Sequence, residues 1–161
     1  MRKATRGINR ALGMALAGLM LALTQMPTAA AQVVVSDAWA TPPLVRGRPI
    51  AAYMTLTNQG SEAVTLVAAE SPAARRIAIH TAVHENNIVR MQPAGPVAIP
   101  AGGKLQLQPG GLHLMLFDPR PDLEPGSTFR LRLRFADGTS LETRVSVRSQ
   151  SEHARKGARP E

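Results

Sequence analysis

Short runs of apolar or alternating residues, separated by turn-forming residues, make up most of the chain after residue 32. No long stretch has the 3.6-residue apolar period of an amphipathic helix. The runs cover residues 33–40, 51–58, 63–69, 76–84, 88–91, 97–99, 104–107, 112–117, 128–135 and 139–147. Gly, Pro, Asn and Asp recur between them, as they do between strands. The pattern predicts an all-β domain, a Greek-key barrel or sandwich of about eight or nine short strands.

The runs at 128–135 and 139–147 show the clearest alternation. Apolar residues on one face of the first run are Phe129, Leu131, Leu133 and Phe135. Cationic residues on the other face are Arg130, Arg132 and Arg134. Between the two runs, Asp137-Gly138 is typical of a hairpin turn. We interpret the arginine face as a solvated strand surface, or as an edge on which the charges prevent pairing with another chain. Docking of an acidic partner is the alternative.

The two ends of the chain differ from this pattern. Residues 1–31 combine a basic start, an apolar stretch over 11–23 and small residues at 29–31, which is typical of a cleavable export signal. The alternative is an uncleaved membrane anchor. Residues 32–149 then form the β domain, and the polar segment 150–161 is predicted to be a disordered tail. The mature protein is expected to be periplasmic, without a membrane span.

Composition excludes several classes of function. The 161 residues include no Cys, which excludes disulfides, thiolate metal sites and a Cys nucleophile. With one Trp, one Tyr and three Phe, a stacking platform for nucleic acid is not expected. The formal net charge of +8 includes four cations of the export signal, so it is weak evidence for a polyanionic partner. Hydrolase, phosphate-loop and metalloprotease motifs are lacking, and we expect no enzyme.

Residues 112–116 carry a histidine and a methionine that share one strand face. Alternate side chains of a strand point to the same side, so the leucines of this run face the core. His113 and Met115 then lie together on the opposite face. An imidazole and a thioether at this spacing, roughly 7 Å between Cα atoms, can converge on one ion.

Alternation and hairpin register also place a second histidine and a second methionine on strand faces. In the run 76–84, His80 points away from the side that carries Ile77 and Ile79. If Asn86-Asn87 is a two-residue turn, Met91 lies opposite Ala82 and diagonal to His80. A register slip of one residue would move Met91 to the other face.

Imidazole and thioether ligands together favour Cu(I), because thioethers are soft, neutral donors. Outside the cytoplasm, methionine also avoids the disulfide that a thiolate pair would form. The alternative is ordinary: a single Met is usually core filler, and a surface His is usually just solvated. His84 and Met54 are possible accessory ligands, and core packing is the simpler interpretation of Met54.

The spacing of these residues resembles that of the PCu(A)C family of periplasmic copper chaperones. That family's pattern is a His, ten residues, a Met, twenty-one residues, then His-x-Met, which His80, Met91, His113 and Met115 match. Matching flanks are 37–40, 51–54, 99–103 and 109–116, and the resemblance covers about 33–147. One departure is Thr81, where many relatives carry another Met. A second is the tail, which lacks the His/Met richness of some relatives.

The resemblance implies a cupredoxin-like fold that binds Cu(I) through those four side chains. It further implies delivery of copper for the binuclear centre in subunit II of cytochrome c oxidase, alongside Sco-type assembly factors. Two other interpretations stay open at this point. One is a cupredoxin-like electron carrier, although the usual blue-copper site needs a Cys. The other is an exported β-sandwich module for adhesion or ligand binding.

Overall fold

Ten strands form one hydrogen-bonded sheet in the computed structural model, which describes residues 33–85, 88–149 and 151–152. They are β1 (Val33–Ala40), β2 (Ile50–Asn58), β3 (Val64–Glu70), β4 (Ala74–Glu85), β5 (Ile88–Pro93), β6 (Val97–Ile99), β7 (Lys104–Leu107), β8 (Leu112–Pro119), β9 (Thr128–Phe135) and β10 (Ser140–Val147). The all-β prediction is confirmed. The described residues form ten strands against the expected eight or nine, and they include the short β6 and β7, which pair with β3 and β2.

The predictions for the two ends of the chain concern residues that the structure mostly does not describe. The predicted export signal at 1–31 lies outside the described residues, and so does the predicted tail at 150–161 apart from 151–152. Within the described part, we find no helix with the length and apolar character needed to cross a membrane.

The order of the strands brings distant parts of the chain together. Along the sheet the order is β5-β4-β8-β2-β1-β10-β9-β3-β6, with β7 attached to β2. One edge of β2 is shared: its first half pairs with β8 and its second half with β7. The β1–β10 pair is parallel, and the other pairs are antiparallel. The β5 end of this path carries the candidate site.

The core follows the predicted alternation. Buried and exposed residues alternate strictly along β9, with Leu131 and Leu133 fully buried. Burying such a leucine is worth about 1.5–3 kcal/mol, so the apolar face drives the sheet to fold over one core. On the outer face, Arg132 pairs with Glu142 and Arg134 with Glu70. These pairs are exposed and contribute little stability.

The two predicted hairpins both form. Pairing of Ala82 with Met91 and of Glu85 with Ile88 matches the register expected for a turn at 86–87, although those two residues lie outside the described part. At the second hairpin, Gly138 has a φ of 84°, a left-handed conformation that glycine adopts without strain. The first hairpin matters for function because it fixes Met91 on the face of β4 that carries His80.

Candidate metal centre

The pairing of β4 with β8 places His80 directly opposite His113. The centroids of the two imidazole rings lie 6.2 Å apart. Ile79 and Leu114, the neighbouring pair in the ladder, point to the core instead. The sequence predicts the face on which each histidine lies, but it does not predict that the two are partners across the sheet.

His113 is held in a single orientation by the backbone. Its side chain is 2% exposed, so the face opposite the core is itself covered at this point. Nδ1 lies 2.9 Å from the carbonyl oxygen of Gly111. A carbonyl only accepts, so Nδ1 donates the hydrogen, and Nε2 of the neutral ring carries a free lone pair. That Nε2 is buried and has no hydrogen-bond partner. A histidine that ligates a metal commonly has this arrangement.

His80 offers a second unpartnered nitrogen. Its Nδ1 is buried without a hydrogen-bond partner. Burial is the main cause that lowers the pKa of His80 below 6.5, and the electrostatic influence of His113 and Arg76 acts in the same direction. The ring is therefore neutral at pH 7. Leaving a buried polar atom unpaired costs about 1–3 kcal/mol, so two such nitrogens on neighbouring rings are donors that a bound metal would stabilise.

The two methionines flank the facing histidines. Met115 follows His113 by two residues on the same face, is partly buried, and stands opposite Ala78 of β4. Met91 stands opposite Ala82 in the edge strand β5 and is 54% exposed. They lie on opposite sides of the His80–His113 pair along the strands. Small alanines opposite both leave room for the long, flexible thioethers to lean inward.

Aromatic rings surround the histidine pair. The Tyr53 ring lies 6.3 Å from His113, and the Trp39 ring lies 4.6 Å from Tyr53. Burial raises the pKa of Tyr53, so its phenol stays protonated. On the other side, the centroid of the Phe117 ring lies 5.7 Å from that of His80, with the two ring planes inclined at 61°. These rings restrict the access of water to the imidazoles, which strengthens electrostatic interactions there.

Of the two possible accessory ligands, Met54 and His84, only Met54 can be placed. Met54 is 2% exposed and belongs to the hydrophobic core, which confirms the packing interpretation. The side chain of His84 lies outside the described part of the structure. Within 33–85, 88–149 and 151–152, no group of three or more His, Asp or Glu side chains could hold a metal ion. A metal at His80 and His113 would thus need other donors, and the thioethers are the nearest soft ones in the sheet register.

Three contributors to the site were missed by the sequence interpretation. They are the Gly111 carbonyl, the Phe117 ring and the Arg76 guanidinium, which lies 3.7 Å from the centre of the Phe117 ring. Alternation in 112–117 places Phe117 on the face of His113, and alternation in 76–84 places Arg76 on the face of His80. These placements point to the site only once the two strands are known to be neighbours.

The fold places the protein in the class of PCuAC domains. A structure titled "Copper-bound PCuAC domain from PmoF2" matches with a TM-score of 0.61 at 18% identity, over 73% of this chain and 93% of that one. A structure titled "Solution structure of CuI-DR1885 from Deinococcus Radiodurans" matches with a TM-score of 0.57 at 34% identity, over 74% and 83%. The predicted resemblance to the PCu(A)C family is confirmed.

The chain belongs to the LpqE-like family, whose model, described as "Putative lipoprotein LpqE-like", matches residues 33–147. A relative, Lxx21020 of Leifsonia xyli subsp. xyli, is 38% identical over 102 residues. The match covers 63% of this chain and 61% of that relative, so the chain spans about three fifths of the length of Lxx21020.

Proposed function

We propose that the protein is a periplasmic metallochaperone that carries one Cu(I) ion on His80, Met91, His113 and Met115. The observation that carries this proposal is the facing imidazole pair, in which each ring has a buried nitrogen without a hydrogen-bond partner. The copper-bound relatives named above favour copper as the metal. The protein acts as a carrier rather than as an enzyme.

The chemistry of the donors favours the monovalent ion. Two neutral imidazoles and two thioethers add no negative charge, and soft donors suit Cu(I) better than hard divalent cations. The hydrogen bond from His113 to Gly111 fixes the tautomer that presents Nε2 to the metal. The His80 ring, kept neutral by its surroundings, binds without first releasing a proton.

Release is expected to begin at Met91. This ligand is on the edge strand β5, in which every residue is exposed, whereas His113 is buried in the middle of the face. An acceptor can approach the edge and replace the Met91 thioether first. The metal would then pass from ligand to ligand towards the binuclear copper site in subunit II of cytochrome c oxidase, with or without a Sco-type factor.

The direct test is an anaerobic titration of residues 32–149 with Cu(I) against a chromophoric chelator. One tight equivalent of Cu(I) is expected, and absence of stoichiometric binding would contradict the proposal. Loaded protein is then mixed with the soluble domain of oxidase subunit II, and copper is followed after separation. Tight binding without transfer would contradict only the proposed acceptor.

Replacing Met91 by alanine should reduce Cu(I) affinity by at least about tenfold, since a ligand contributes no less than the groups that orient it. The melting temperature of the metal-free protein should hardly change, because the side chain is 54% exposed on an edge strand. Competition titration and thermal unfolding measure the two effects.

The matched control for Met91 is Met54→Leu, which alters a methionine of the core. It should leave Cu(I) affinity unchanged at a cost below about 1.5 kcal/mol in stability. Met115→Ala should weaken binding as Met91→Ala does and also cost some stability, because Met115 is partly buried. Equal affinities for wild type and Met91→Ala would remove Met91 from the ligand set.

Acidification should destabilise the metal-free protein through His80. The pKa of His80 is lowered in the folded state, mainly by burial, so the unfolded chain takes up the proton first as pH falls through about 6.5. The free energy of unfolding should decline from there until the folded pKa is reached. Urea unfolding between pH 7.5 and 5 should show a steeper decline for wild type than for His80→Leu. Identical profiles would exclude this contribution.

A further inference from the structure

We infer that Arg76 makes the site discriminate against Cu(II) in favour of Cu(I), an inference that rests on the proposed function. Arg76 lies on β4 on the same face as His80, two residues before Ala78. Its guanidinium carbon sits 3.7 Å from the centre of the Phe117 ring, and that ring meets His80 at 5.7 Å. Phe117 thus holds a permanent positive charge beside a proposed ligand.

The four proposed ligands bring no negative charge that could offset this cation. Across the described ranges, no Asp or Glu joins the two imidazoles in a group of three possible ligands. Asp37 accepts a hydrogen bond of 2.7 Å from the Arg148 guanidinium. It lies two residues from Trp39, whose ring packs on Tyr53 away from the histidines. The proposed ligands themselves are neutral. Arg76 therefore adds a positive field at the metal position, and no charge of the proposed ligands cancels it.

A positive field penalises a divalent ion twice as much as a monovalent one. The two ring distances place the guanidinium within about 10 Å of the His80 ring, and at an effective dielectric constant of about 20–40 the extra charge changes the ratio of affinities by roughly four- to fifteenfold. Arg76 is exposed, so salt reduces this effect. Arg76 does not contact the metal. It acts on selectivity through its charge.

A charge series at this position tests the inference. Dissociation constants for Ag(I), a redox-inert monovalent probe, and for Cu(II) are measured on wild type, Arg76→Lys, Arg76→Gln and Arg76→Glu. At low salt, Arg76→Gln should tighten Cu(II) binding relative to Ag(I) by about three- to tenfold, and Arg76→Glu by more. Arg76→Lys should resemble wild type. The matched control is Arg75→Gln, since Arg75 alternates to the other face of β4.

The salt dependence separates a charge effect from a structural one. The difference between Arg76→Gln and wild type should shrink as ionic strength rises to 1 M, whereas a packing defect would persist. The ratio staying constant across the charge series, or changing equally in Arg75→Gln, would overturn the role of Arg76. Failure of wild type to bind Ag(I) or Cu(I) would instead refute the proposed function.

Discussion

Replacing His80 by leucine is expected to lower Cu(I) affinity by at least about a hundredfold while leaving the metal-free fold intact or slightly more stable. The proposed site loses one of two imidazole donors, and a direct ligand should matter more than the outer groups that cost 10–100-fold. Removing the unpartnered Nδ1 relieves the cost of a buried polar atom, about 1–3 kcal/mol at most. Competition titration and urea unfolding of the same variant measure both effects.

Opposite changes in affinity and stability would identify His80 as a residue kept for function. The control is Thr81→Val, which changes the next residue in β4 on the other face and should keep Cu(I) affinity. A His80→Leu variant that unfolds easily and still binds Cu(I) would mean that the histidine serves packing and that the metal lies elsewhere.

Replacing Asn58 by alanine is expected to lower the free energy of unfolding by about 2–4 kcal/mol, more than any other substitution proposed for this protein. Asn58 is fully buried at the end of β2. The two hydrogens of its Nδ2 are shared among the carbonyl oxygens of Glu62, Ile99 and Pro100, which lie 2.7, 3.1 and 3.1 Å from that nitrogen. Its Oδ1 accepts from the Gly60 backbone at 3.0 Å. One side chain therefore ties the end of β2 to the ends of two loops, and alanine leaves these groups unpaired.

The melting temperature of Asn58→Ala should fall by roughly 10 °C. Gln59→Ala is the matched control, because Gln59 is the exposed neighbour and should cost less than about 0.5 kcal/mol. Cu(I) affinity, measured where the variant is still folded, should be unchanged. A loss below about 0.5 kcal/mol for Asn58→Ala would show that the loops do not depend on this network.

Alternation and turn chemistry are local signals, and they predicted most of the strands. Of the three leucines of β8, Leu114 and Leu116 are fully buried as expected and Leu112 is partly buried. The register through residues 86–87 was also predictable, because a two-residue turn fixes which residues face each other. Met91 accordingly lies opposite Ala82.

The pairing of strands that are distant in the chain was not predictable from these patterns. Nothing local to β4 or β8 indicates that they are neighbours, so the facing of His80 and His113 emerges only from the order of the sheet. The alternation placed His113 on the face opposite the core leucines, but it did not show that this face is covered there, with His113 buried beside Tyr53. The role of Arg76 also depends on this pairing, which brings Phe117 beneath it.

The most direct test of the central claim is X-ray absorption at the copper edge of the Cu(I)-loaded wild-type protein, compared with Met91→Ala and His80→Leu. We expect one Cu(I) surrounded by both sulfur and imidazole scatterers, with sulfur reduced in the first variant and imidazole in the second. A spectrum without sulfur, or one that neither variant changes, would contradict the account.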